Sequence, residues 1–136
     1  MDRGTKIYAL ILGVFTLTLA VVFLYESPKV SDLNEQLSSI HSIKEFPYHF
    51  KVIRIDNRTA VMSTPRSTDV PVARVLGILF PQVKGLSTQS SEFQKAQKKL
   101  ATVQNLARIT VINDNKIDKV RWELDRSWLL QHGISI

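Results

Sequence analysis

Ile7-Tyr8-Ala9-Leu10-Ile11-Leu12-Gly13-Val14-Phe15-Thr16-Leu17-Thr18-Leu19-Ala20-Val21-Val22-Phe23-Leu24-Tyr25 is the one stretch of this chain that water rejects outright, with no charge, no proline and no side-chain amide. At a rise of about 1.5 Å per residue a helix of that length runs ~28 Å, close to the ~30 Å hydrocarbon core of a bilayer. Residues 7–25 therefore read as a transmembrane helix behind a short tail, 1–6. Everything downstream must fold as one unit on the far side of that span.

A cleaved signal peptide has a shorter apolar region, about 7 to 15 residues, followed by a small-x-small cleavage site. Here the run is longer and ends Phe23-Leu24-Tyr25-Glu26-Ser27-Pro28, bulky where small residues are needed. Without cysteine a lipid-modified anchor is excluded. Tyr8 and Tyr25 flank the run, where a ring with a polar tip favours the headgroup region. The segment is expected to be retained as a single-pass anchor in the inner (plasma) membrane. Arg3 and Lys6 precede it against Asp2 alone, while Glu26 and Lys29 behind it cancel. That bias puts the N-terminus in the cytoplasm and the rest in the periplasm or outside the cell. Ala9, Gly13, Thr16 and Ala20, spaced four, three and four, share one helix face. A stripe of small residues lets a second helix approach closely, so the expected partners are other membrane proteins or a second copy, within the lipid bilayer.

Beyond the anchor, residues 27–136 carry sixteen Lys and Arg against ten Asp and Glu, with no block of like charge. The length suits one domain with a modest core. The excess is spread thinly, which describes a solvated surface first and attraction to an anionic partner second. Lys95, Lys98 and Lys99 form the one close basic cluster. The lack of cysteine argues against a small secreted domain stapled by disulfides. Asn57-Arg58-Thr59 matches a glycosylation acceptor but reads first as a turn.

Residues 26–46 read as a linker and a short amphipathic helix, with Asp32 and Glu35 in capping-box spacing and Leu33, Leu37 and Ile40 on one face. The domain proper spans 47–136. Tyr48 to Ile55 and Arg58 to Thr64 are rich in β-branched and aromatic residues around Asp56-Asn57, which predicts a hairpin. Asp69 and Pro71 start a buried helix with Val72, Val75, Leu76, Leu79 and Phe80 on its stripe. Ser91 and Gln94 start the longest helix, whose face is Phe93, Ala96, Leu100, Val103 and Ala107, widened by Leu106. Ile109 to Ile112 fits the end of that helix or a separate strand. Lys119 to Leu124 alternates strictly, the pattern of a half-buried strand. Asp125 caps a last short helix, which Gly133 ends. The order predicts an α+β domain: a small antiparallel sheet, hairpin plus one strand, packed with helices. In apolar spacing, Ala96 to Leu124 with the hairpin resembles the closing part of small envelope domains of the BON type. That family's turn glycines are absent, and Asp56-Asn57 stands in place of Asp-Gly, so membership is not assigned.

No motif carries chemistry. The glycines form no phosphate loop, no nucleophile elbow is present, and His41, His49 and His132 lack metal-ligand spacing. Asp114 and Asp118 sit in a turn-forming stretch, their ordinary habitat. Glu123 and Asp125 read as surface ion pairs with Arg121 and Arg126. Trp122 and Trp128 read as core, with a partner surface as the alternative. The expected protein is no enzyme and uses no cofactor and no metal; nucleic acid is not an expected partner. It is expected to be an accessory or assembly subunit of a cell-envelope membrane complex, acting by protein contact through Ala9, Gly13, Thr16 and Ala20 and through Lys95, Lys98 and Lys99. The alternative is a tethered binder of an anionic envelope polymer or lipid headgroups; a hydrolase ranks last.

Overall fold

The computed structural model describes residues 2–24 and 27–136. Helix α1, Arg3–Leu24, has 22 residues, about 33 Å at helical rise. It is long and apolar enough to cross a membrane, and none of its most apolar window is buried against the rest of the chain. Thr16 and Thr18 donate their hydroxyls to the carbonyls of Leu12 and Val14 at 2.9 and 2.8 Å, so neither leaves an open donor on an apolar surface. Tyr8 is exposed on α1, while Tyr25 and Glu26, read above as flanks of the span, lie outside the described residues.

Helix α2, Pro28–Ser39, starts earlier than the capping-box reading placed it. Pro28 is the reason: its fixed φ and missing N–H suit a first helical turn. Asp32 consequently lies inside the helix, where its carboxylate accepts from Gln36 Nε2 at 3.2 Å. Extended backbone at Ile40 separates α2 from the single turn of α3, His41–Lys44. Val30, Leu33, Leu37 and Ile43 are buried from these two helices.

Strands β1, Val52–Asp56, and β2, Thr59–Thr64, form the expected hairpin. Asn57 adopts φ 56°, the left-handed geometry the tight turn demands. The first strand is shorter than its composition suggests. Phe46, Tyr48 and Phe50 are buried ahead of it but belong to no ladder, and the register slips between Val52 and Arg54, leaving Ile53 as a bulge. Helix α4, Val72–Leu79, buries Val75, Leu76 and Leu79. Asp69 is not its cap; Pro71 holds that position and Asp69 instead takes its amide to Ser67 Oγ. A 3-10 turn, Pro81–Val83, leads to α5, Ser91–Ile112. The cap there is Ser90, one residue ahead of the expected Ser91, accepting from the Phe93 N–H at 3.2 Å. Residues 109–112 continue the helix, and fully buried Val111 extends its apolar stripe.

Strand β3, Lys119–Leu124, has the predicted bounds, and α6, Arg126–Gln131, is capped by Asp125, which accepts from the Trp128 N–H at 3.1 Å. At its end Gly133 turns to φ 79°. The amides of Gly133 and Ile134 then reach the carbonyls of Leu130 and Leu129, at 3.1 and 2.9 Å. These are the paired bonds of a Schellman close, and buried Ile134 supplies its apolar contact.

The sheet order is β1-β2-β3. Here the expected antiparallel sheet is corrected: β3 runs parallel to β2, Thr59 beside Lys119 through Thr64 beside Leu124, so the sheet is mixed. The cause is the connection. A parallel neighbour needs a crossover long enough to carry a helix back over the sheet, and the segment from β2 to β3 holds both α4 and α5. Alternating residues of β2 face two different worlds. Ala60 and Met62 join the main core under the helices. Val61, also fully buried, lies opposite them beneath Arg54 and Arg121, its register partners on either side. Glu123 meets Arg54 at 3.4 Å, Arg54 meets Asp56 at 3.4 Å, and Asp56 meets Arg121 at 3.5 Å, a chain of exposed charges over that face.

Asp125 ties the far end of the sheet together. Its N–H donates to Thr64 O at 2.8 Å, one carboxylate oxygen caps α6, and the other accepts the Tyr48 hydroxyl at 2.9 Å. Burial pushes the Tyr48 hydroxyl above the ordinary phenol range; the Ser63 hydroxyl opposes that shift and the bond to Asp125 adds to it. Asp125→Ala removes a cap worth about 1 kcal/mol and strands a buried hydroxyl at ~1–3 kcal/mol. We expect a loss of about 2 to 4 kcal/mol in urea unfolding of the detergent-solubilised chain, and recovery of part of that loss when Tyr48→Phe, which removes the stranded hydroxyl, is combined with it.

Candidate functional site

The small-residue stripe is bare. Ala9, Gly13, Thr16 and Ala20 are all exposed on α1, and nothing lies within 4 Å of where a Cβ on Gly13 would stand. The basic cluster is exposed as well. Lys95, Lys98 and Lys99 ride the solvent side of α5 because Phe93, Ala96 and Leu100 take the core side. Lys95 and Lys99, one turn apart, border a shallow groove of about 280 Å³ with Phe80, Val83 and Glu92; Lys98 does not reach it. Among the described residues none of the three lysines forms an ion pair.

A second groove, about 550 Å³, lies against α4 and the turn that follows it, lined by Arg74, Gly77, Ile78, Pro81, Lys84 and His132. Three groups able to carry positive charge meet there without an acidic residue. Arg74 is held in place by donating to Gly133 O at 3.0 Å. The sequence carries no pattern for this groove, since Arg74, Lys84 and His132 come from two helix ends and a loop. The only signal for it was the close of α6 at Gly133, which fixes where that C-terminal turn lies.

Other polar side chains are committed to structure. His41 sits 3.1 Å from Glu45, one helical turn away in the open. His132 packs on Trp128 with ring centroids 4.3 Å apart and its Nδ1 is 2.7 Å from Trp128 O. Among the described residues no group of three His, Cys, Asp or Glu converges as a metal site. Asp114 and Asp118 do not pair with each other. Asp114 takes Lys29, from the first turn of α2. Asp118 takes Arg58 from the hairpin turn at 2.7 Å, and Arg58 also donates to Asn115 O. The reading of Glu123 and Asp125 as partners of Arg121 and Arg126 is corrected. The parallel register brings Arg54 to Glu123 and Asp56 to Arg121, and Asp125 turns to Tyr48.

Trp122 and Trp128 both pack against the core, half-buried. Trp122 meets Phe50 edge-on at 6.0 Å, and Trp128 meets Tyr48 edge-on at 5.4 Å. These contacts are the favoured aromatic geometry and anchor β3 and α6 to the segment ahead of β1. No protein family, curated protein or solved structure matches the chain.

The hydrogen bond from Lys29 holds the Asp114 carboxyl below the usual carboxylate range, and that from Arg58 does the same for Asp118. Each carboxylate therefore contributes stability that is present above the unfolded value of 3.8 and is lost as pH falls through the lower folded value. We expect Asp118→Asn to lower the urea midpoint near neutral pH and to flatten its decline below about pH 4; an unfolding series across acid pH reads this directly. Because Asp118 is exposed, added salt should shrink the difference.

Proposed function

We propose that this chain is a single-pass accessory or assembly subunit of a cell-envelope membrane complex, working by protein contact and not by catalysis. One observation carries the reading: the apolar window of α1, Arg3–Val21, lies bare with its small-residue stripe, none of it covered by its own domain. A helix in that condition meets only lipid and other helices. The positive charges ahead of it, Arg3 and Lys6, favour a cytoplasmic N-terminus and a folded domain on the opposite side. The domain then acts as a compact head held at the membrane surface through Pro28 and α2, and Lys29 ties that start to Asp114 beyond the end of α5.

Replacing Ala9, Gly13, Thr16 and Ala20 by leucine keeps the span apolar while filling the stripe. We expect the variant to stay in the membrane fraction but to lose the chains that co-purify with wild type in mild detergent. Unchanged co-purification would reject the stripe as the contact. Recovery of wild type alone and as a monomer would reject the function.

A second reading has its own support in the unpaired Lys95, Lys98 and Lys99 and in the nearby groove of Arg74, Lys84 and His132. On this reading the head binds an anionic polymer or lipid headgroups. Salt separates the two. Co-sedimentation with anionic vesicles should collapse between low and moderate ionic strength and weaken in the triple Lys→Gln variant, whereas helix packing in the membrane should be indifferent to both.

A further inference from the structure

The sheet has two edges, and the described residues treat them differently. On the β1 edge, α2 supplies Asn34, whose Oδ1 accepts from the Val52 N–H at 2.7 Å and whose Nδ2 donates to Val52 O at 3.0 Å. The amide side chain stands in for a neighbouring strand at the start of that edge. On the β3 edge no further strand pairs among the described residues. The N–H groups of Lys119 and Asp125 point back to Arg58 O and Thr64 O, at 3.4 and 2.8 Å. Residues of odd number therefore bond to β2, and Val120, Trp122 and Leu124 turn their backbone N–H and C=O groups outward. An open run of this kind is a template for another strand.

The residues along that edge are self-complementary. In an antiparallel pair of β3 strands with the two-fold axis at Trp122, Arg121 lies opposite Glu123 of the second copy, and Glu123 opposite its Arg121. On the other face Val120 lies opposite Leu124 and Trp122 opposite Trp122. Arg121 and Glu123 each meet the opposite sign, and the half-buried apolar residues meet one another, the favoured kinds of cross-strand pair. The outward backbone groups fall at the hydrogen-bonded positions of this register, so the ladder closes as well. Alternatives fail on charge or on face. A shift of two residues sets Arg121 on Arg121 or Glu123 on Glu123, and a shift of one puts apolar residues against the charged face.

We infer that β3 pairs with β3 of a second copy of this chain, merging two sheets into one across a two-fold axis at Trp122. The intramolecular pairs Arg54 with Glu123 and Asp56 with Arg121 then join end to end across the axis as one ladder of alternating charge. This deepens the contact function proposed above by naming a partner. It rests on that reading only for the shared membrane plane, which raises the effective concentration of two tethered heads.

The absence of cysteine makes the test direct. Full-length chains carrying Arg121→Cys and Glu123→Cys, with tags of different size, are co-expressed and oxidised in native membranes. Opposed residues at a non-hydrogen-bonded antiparallel position have Cα atoms about 4.5 Å apart, within disulfide reach. The mixed 121–123 disulfide should exceed either same-residue dimer by about tenfold. No disulfide, a dominant 121–121 product, or a disulfide chiefly to some other protein would overturn the inference. As a second measurement, Val120→Pro deletes one outward N–H and leaves the bonds to β2 intact. It should give a monomer by light scattering in detergent with an unchanged circular dichroism spectrum. A folded Val120→Pro dimer would also overturn the inference, and if that variant does not fold the disulfide result decides alone. Loss of other co-purifying chains with retention of the 121–123 disulfide would reject the assembly function and leave the strand pairing standing; the reverse pattern would do the opposite.

Discussion

The parallel ladder between β2 and β3 is the constraint on which this domain depends. It obliges the chain to leave β2 at Thr64, return over one face of the sheet, and begin β3 beside Thr59. Two helices and a 3-10 turn carry out that return, and the long one, α5, lays Phe93, Ala96, Leu100, Val103, Ala107 and Val111 into the core as it passes. Because β2 is flanked on both sides, Ala60, Val61 and Met62 have no exposed surface. A central strand buried on both faces is usual for parallel pairing and unusual for a lone hairpin. Asp125 secures the far end of this arrangement by linking the end of β2, the first turn of α6 and Tyr48.

Around that ladder the aromatic residues form a continuous chain. Phe80 meets Phe46, Phe46 meets Phe50, Phe50 meets Tyr48, and Tyr48 meets Trp128, with centroid distances from 5.0 to 5.9 Å. The short segment from Phe46 to Phe50 therefore acts as the mortar of the fold although it belongs to no strand. The two sheet faces differ accordingly: one carries this core and the helices, the other a thin lattice of exposed ion pairs over Val61. Exposed pairs of that kind contribute little stability. Their value lies in keeping one face polar and in setting the charge pattern that the open edge of β3 displays.

Where period alone decides structure, the reading of the residues held. The α5 stripe, the strict alternation from Lys119 to Leu124, the left-handed Asn57 and the close at Gly133 each follow from local chemistry, and each appears in the fold. Caps were less legible. Ser, Asp and Pro crowd the starts of α2, α4 and α5, so several residues can serve, and proline won twice over the acidic candidate. Tyr48 and Phe50 read as strand because burial and strand propensity select the same residues. The basic groove of Arg74, Lys84 and His132 had no sequence signature at all, because its members meet only after α6 folds back on α4.

By itself the sequence determined the apolar helix, the order and kind of the main elements behind it, and the apolar face of the longest, since these follow from hydropathy and from periods of 3.6 and 2; it did not show the break at Ile40 that divides α2 from α3. Only the tertiary structure decided the direction of β3, the partners of Asp114, Asp118, Glu123 and Asp125, and the seat of Asn34 on the backbone of Val52 at the β1 edge. Direction and pairing depend on which remote segments come together. That is set by packing α4 and α5 against one face of the sheet, a choice no local window of residues contains.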